Sequence, residues 1–200
     1  TTSPAPADWQ TIIFEKGSAG TISNTTVSYS GGSYYRGPAY GYGSYCYFIL
    51  GGGYPQNHYT GLCNQGGNLN ISYSNIFNNK GEGIHQGSGT LTFNHSTTTN
   101  HTYGIYQRDS NQSTITNSIL SNATYGFFQE KGTTTISNSS IRQNIGAGFY
   151  QSGAPTTTAQ YNWWGDATGP YNAKYNPGGL GNPASDYVDF SNWLNYDPNP

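Results

Sequence analysis

Apolar side chains recur along this chain in short runs that alternate with polar ones, and no stretch sustains the 3.6-residue spacing of a helix. Alternation of this kind predicts strands, whose side chains point to opposite faces in turn. Two patterns recur. The first is apolar-x-(Asn/Tyr/His)-(Ser/Thr)-x-(usually apolar). It reads Ile22-Ser-Asn24-Thr25-Thr-Val27, Ile71-Ser-Tyr73-Ser74-Asn-Ile76, Phe93-Asn-His95-Ser96-Thr-Thr98, Ile115-Thr-Asn117-Ser118-Ile-Leu120 and Ile136-Ser-Asn138-Ser139-Ser-Ile141. The second is Gly-apolar-x-(Gln/Asn), at Gly61-Leu62-Cys63-Asn64, Gly83-Ile84-His85-Gln86, Gly104-Ile105-Tyr106-Gln107, Gly126-Phe127-Phe128-Gln129 and Gly148-Phe149-Tyr150-Gln151.

The glycines step by 22, 21, 22 and 22 residues, and the first pattern steps through Ile49, Ile71, Phe93, Ile115, Ile136 and Thr158 by 22, 22, 22, 21 and 22. Two patterns sharing one period predict a solenoid, because a unit so short buries no core alone and must stack on its neighbours. The expected fold is all-β, a single parallel β-helix of about seven rungs of ~22 residues, roughly 30 Å long at the spacing of hydrogen-bonded strands. Gly and Asn are expected where each coil turns sharply. One domain spans 1–200, with an N-terminal cap at 1–20, rungs at 21–161 and a C-terminal cap at 162–200. Trp9 through Phe14 supply the first cover. Asn162-Trp163-Trp164-Gly165-Asp166 begins the second, and Val188, Phe190, Trp193 and Leu194 complete it. Between Ile22 and Ile49 the spacing grows to 27, so the Tyr/Gly-rich stretch at 30–44 reads as a loop bulging from an early rung.

The repeat units resemble those of right-handed parallel β-helix proteins of bacterial and archaeal cell surfaces, in the pectate-lyase-like β-solenoid superfamily. The Asn-Trp-Trp-Gly-…-Gly-Pro segment at 162–170 resembles the closing segment of many such proteins. The resemblance covers roughly residues 9 to 196 and implies a right-handed coil. It does not fix an activity, since that architecture hosts lyases, hydrolases, adhesins and inert stalks.

Composition narrows the partners. Charged residues make up 8% and the net charge is −2, so the chain has no basic footprint for nucleic acid and little to attract anionic lipid. Aromatic residues at 16% argue against disorder. No apolar run is long enough for a membrane span. The absence of a leader and of Met fits a processed chain or a fragment. Cys46 and Cys63 can form one disulfide, in keeping with an extracellular or cell-surface location.

Polysaccharide-cleaving β-helices need clustered carboxylates, or a cation beside them. Here Arg108 and Glu130, then Asp109 and Lys131, fall at matching positions and are expected to stack as opposite-charge pairs. Glu82 stands alone one residue before its glycine, and Asp166 and Asp189 read as turn residues of the C-terminal cap. No catalytic residue is assigned, no cofactor is expected, and the four histidines lack the spacing of a metal site. His95, in the column of Tyr73, Asn117 and Asn138, reads as a hydrogen-bonded turn or interior residue.

Two surfaces remain as candidates. His85, Tyr106, Phe128 and Tyr150, preceded by Cys63, are expected to form an outward aromatic ladder, because the fully apolar residues one step earlier are the better core. Its ordinary reading is cross-strand stacking that stabilises the sheet, or cover from a loop; its functional readings are stacking on sugar rings or burial against another chain. Tyr34, Tyr35 and Tyr42, with Tyr40, Tyr45 and Tyr47, make a second adaptable surface, or a loop packed on the helix flank. Seven Asn-x-Ser/Thr sequons occur. Asn100 and Asn122 are the better glycosylation candidates, whereas Asn24 and Asn138 lie in an inward or turn ladder. The Asn and Gln columns are expected to satisfy backbone groups at turns and one another. The leading expectation is a non-catalytic structural, adhesive or self-assembling filament protein, partnering itself or extracellular polysaccharide. A carbohydrate-binding module is the alternative, and a polysaccharide lyase or hydrolase comes next. Ice binding ranks lower, since no flat, repeated Thr-x-Thr face is visible through consecutive rungs.

Overall fold

The computed structural model describes residues 11–30, 48–49, 55–56, 60–109, 112–153 and 157–200. Among these residues there is no helix, and hence none long and apolar enough to cross a membrane. The chain is a parallel β-solenoid. One representative turn runs through strands Tyr103–Gln107, Gln112–Thr116 and Ile119–Ser121 before Tyr125–Gln129 begins the next. The two recurrent patterns occupy the first two strands of each turn, which are continuous in Thr60–Ser72 and Glu82–Asn94. Strands of successive turns pair in parallel: Leu62, Ile84, Ile105, Phe127 and Phe149 lie side by side, all fully buried.

The stack makes about four turns at the predicted spacing of ~22 residues. One difference arises at Ile49. Ile22 pairs directly with Ile71, while Ile49 sits in an antiparallel ribbon opposite Pro55. The spacing of 22 between Ile49 and Ile71 therefore reflects no stacked rung. A second difference is at Thr158, which pairs with Thr135 rather than Ile136. Thr158 is exposed, and buried Ala159 belongs to the core instead.

Local backbone preference explains two corners of each turn. Tyr73, His95, Asn117 and Asn138 all have left-handed φ between 45° and 50°, and Asn78, Asn100 and Asn122 repeat this with φ of 54°, 60° and 51°. Asn tolerates that region better than most residues, which accounts for the asparagine columns. The recurrent glycines are different. They lie within strands, and a Cβ on Gly61, Gly83, Gly104 or Gly126 would come within 2.7, 2.6, 2.5 and 2.7 Å of the carbonyl oxygen of the next glycine in the column. These positions are glycine because adjacent turns approach closely there, and not because the chain turns.

Inside, apolar columns alternate with satisfied polar ones. The third strand of each turn contributes Val27, Ile76, Thr98, Leu120 and Ile141, and Trp164 joins the same core, edge-on to Phe190 at 6.5 Å. Leu69 and Leu91 give way in later turns to buried Ser113 and Thr134. That replacement is tolerated because the neighbouring glutamines accept from them: Ser113 Oγ donates to Gln107 Oε1 at 2.5 Å and Thr134 Oγ1 to Gln129 Oε1 at 2.6 Å. A serine ladder ties one corner. The backbone N–H groups of Thr25, Ser74, Ser96 and Ser118 donate to the hydroxyls of Ser74, Ser96, Ser118 and Ser139 of the following turn, at 3.0–3.2 Å. Asn162 Oδ1 continues this series by accepting from Ser139 N–H at 2.9 Å.

Candidate functional site

The aromatic ladder is continuous in register: Cys63, His85, Tyr106, Phe128 and Tyr150 pair in sequence. Its exposure is graded, which corrects the expectation of an outward ladder throughout. Cys63, which is disulfide-bonded, and His85 are fully buried, Tyr106 and Phe128 are half-buried, and Tyr150 is 38% exposed. Tyr106 and Phe128 stack at 5.5 Å and 30°, and Phe128 and Tyr150 at 5.0 Å and 22°.

A second aromatic column runs beside the first. Tyr103 and Tyr125 stack at 5.5 Å and 10°, and both present an edge contact to Phe128, at 5.3 and 5.2 Å. Together they form a ridge of five rings. The sequence signal was available, since Tyr103 and Tyr125 each precede their glycine by one, the position of Glu82 in the turn before. Parallel stacking along the coil axis has a chemical consequence: the ring faces cover one another, and edges and hydroxyls are left outward.

Carboxylates border the ridge. Tyr106 Oη donates to Glu130 Oε1 at 2.5 Å, and burial, then that hydrogen bond, holds the phenol protonated well above the ordinary tyrosine range. Burial also raises Tyr103, with Tyr125, Glu82 and Glu130 adding to the effect. Buried Glu82 accepts from the Thr60 hydroxyl at 2.8 Å and meets His85 Nδ1 at 2.8 Å. Of the expected charge stack, the second pair is not formed: Asp109 and Lys131 form no ion pair among the described residues. Glu130 is taken up by Tyr106.

Other candidates have structural partners. His95 is exposed at its left-handed corner and stacks on Tyr73 at 5.0 Å, so it is a turn residue and not an interior one. His101 is buried where Asn79 and Asn144 stand in other turns. Its Nδ1 lies 3.2 Å from Asn79 O and its Nε2 3.1 Å from Ile76 O. Burial lowers its pKa despite both carbonyls, which favour the charged ring. Asp166 accepts from Thr168 N–H and hydroxyl, and Asp189 from Ser191 N–H and Gln160, so the two serve separate turns. Asp197 pairs with Arg142 at 2.5 Å and also accepts from the Ser140 hydroxyl.

Asn100 and Asn122 are exposed, as are Asn24 and Asn138, which face outward at their corner rather than inward. Among the described residues no three His, Cys, Asp or Glu side chains are grouped to hold a metal. Tyr34, Tyr35, Tyr40, Tyr42, Tyr45, Tyr47, Cys46 and Trp9 lie outside the described residues.

The fold and these contacts define a parallel β-solenoid with an aromatic ridge on one flank. Compared with protein-family models, with curated proteins and with solved structures, the chain matches none of them.

Proposed function

We propose that this chain is a non-catalytic structural and adhesive protein of the extracellular space or cell surface, one that associates with further copies of itself through the aromatic ridge. The observation that carries this reading is the stacking of the five rings on one another. A sugar ring stacks on an open aromatic face, and the interior of the ridge offers edges instead. Edges and phenol hydroxyls suit edge-to-face contact with a second ridge, and a half-buried apolar stripe on a weakly charged rod favours side-by-side association. The buried contact of Trp164 with Phe190 supports an end-closing role for residues 162–200. The right-handed cell-surface β-helix class remains the resemblance that fits this reading best.

Sugar recognition is the second reading. Tyr150 favours it, as the most exposed ring of the ridge. Electron microscopy and sedimentation of the purified chain, beside a Tyr106→Ala/Tyr150→Ala variant, test the proposal. Polymers in the wild type that dissociate in the variant support it. Monodisperse particles at high concentration refute it, and glycan-array binding that depends on Tyr150 transfers the ridge to the carbohydrate reading.

A further inference from the structure

Beyond the ridge, the second strand of each turn presents an outward face that only the register reveals. Three columns run along it. The first is Ala19, Asn68, Thr90, Gln112 and Thr133. The second is Thr21, Asn70, Thr92, Thr114 and Thr135, continued by Thr158. The third is Ser23, Ser72, Asn94, Thr116 and Ser137. Thr-x-Thr pairs fall in the first two columns at Thr90/Thr92 and Thr133/Thr135 and are shifted to the last two at Thr114/Thr116, so what repeats in register is the single threonine column Thr92, Thr114 and Thr135.

The three columns differ in how their hydroxyls are used. In the outer two, Thr90 Oγ1 donates to Asn68 Oδ1 and Thr116 Oγ1 to Asn94 Oδ1, each at 2.9 Å, and Ser72 Oγ donates to Ser23 Oγ at 3.2 Å. In the middle column the hydroxyls of Thr21, Thr92, Thr114, Thr135 and Thr158 have no protein partner among the described residues, so water is what remains for them.

We infer that this face binds ice. In the middle column the hydroxyls and methyls of Thr92, Thr114 and Thr135 recur about 4.8 Å apart from turn to turn, with polar neighbours about 6.6 Å away along the strand. The β-branched threonines are stiff at χ1, so each hydroxyl is held in place. The methyl beside each threonine hydroxyl limits where water can sit, and such a column holds surface water in repeating positions. No residue in these three columns, from Ala19, Thr21 and Ser23 to Thr133, Thr135 and Ser137, carries a charge, which matches a neutral lattice and gives a charged polymer or lipid headgroup nothing to pair with there. The face also lacks aromatic rings on which a sugar would stack. The first charge is Asp189, opposite Thr158 at the C-terminal edge.

The test is ice recrystallisation inhibition by the purified full chain, compared with Thr92→Tyr/Thr114→Tyr and with the ridge variant Tyr150→Ala. Tyrosine suits an outward strand position, and an unchanged circular dichroism melt verifies the fold. The wild type and Tyr150→Ala are expected to arrest crystal growth, and the double threonine variant to lose that effect. The inference is overturned if the wild type leaves crystal growth unchanged, if the double variant is as active as the wild type, or if the chain is retained on crystalline cellulose with no effect on ice. Because Tyr150 lies outside this face, failure here leaves the ridge proposal standing.

Discussion

Replacing Gly104 with alanine tests how closely the turns approach. For a glycine in an ordinary strand, alanine stabilises by about 0.4–1 kcal/mol, because the unfolded chain loses freedom. Gly104 has no left-handed φ that would forbid a side chain. The opposing effect is steric. The new Cβ would lie 2.5 Å from Gly126 O and 3.2 Å from Thr98 Cγ2, and the first of these is an overlap with backbone that real Cβ atoms essentially never show. Relief requires the turns to separate, yet the paired strands Tyr103–Gln107 and Tyr125–Gln129 hold that separation with hydrogen bonds on both sides. Overpacking of this kind costs about 1–3 kcal/mol, and backbone as the obstacle puts Gly104 at the upper end.

Subtracting the unfolded-state gain leaves a net loss of about 2 kcal/mol, which lowers Tm by about 4–8 °C in a chain of this size. Gly178→Ala is the matched control, since nothing lies within 4 Å of its Cβ position and its φ is not left-handed. That variant is expected to match or slightly exceed the wild type. Thermal and urea denaturation followed by circular dichroism decide the matter. If Gly104→Ala proves as stable as Gly178→Ala, the glycine column is not there to admit the neighbouring turn.

Gln129→Leu removes an acceptor for Thr134 and donors to Gly132 O and Thr157 Oγ1, at 2.6, 2.9 and 3.1 Å, and is expected to destabilise by about 2–4 kcal/mol. Adding Thr134→Val should recover part of that loss in a double-mutant cycle, and strict additivity would show that the pair is uncoupled. Ser118→Ala orphans the buried Ser96 N–H, which donates to Ser118 Oγ at 3.2 Å, at an expected cost of about 1–3 kcal/mol. Amide exchange at Ser96 should accelerate, and unchanged protection would count against the ladder. His101 binds its proton less readily folded than unfolded, so stability should be full above its ordinary pKa of about 6.5 and fall as pH drops below it. His101→Asn, which restores the residue found at Asn79 and Asn144, should flatten this acid dependence of the urea midpoint. An NMR titration placing the His101 pKa above its ordinary value would reverse the sign.

The sequence by itself determined the period, the strands and the inward columns. Alternation and burial are local properties, so Ile84, Ile105, Phe127 and Phe149 could be assigned to one core stripe from their spacing. The asparagine corners were legible for the same reason, since left-handed φ is a preference of the residue itself.

Only the tertiary structure decided register, and everything that depends on register. Ile22 beside Ile71 and Thr158 beside Thr135 follow from an insertion and an extra residue that a constant period cannot absorb. The clash that enforces each glycine, the ring faces turned against one another and the neutral hydroxyl face all arise between residues about one turn apart. Such contacts depend on how two turns are set against each other in space, and no short stretch of chain encodes that.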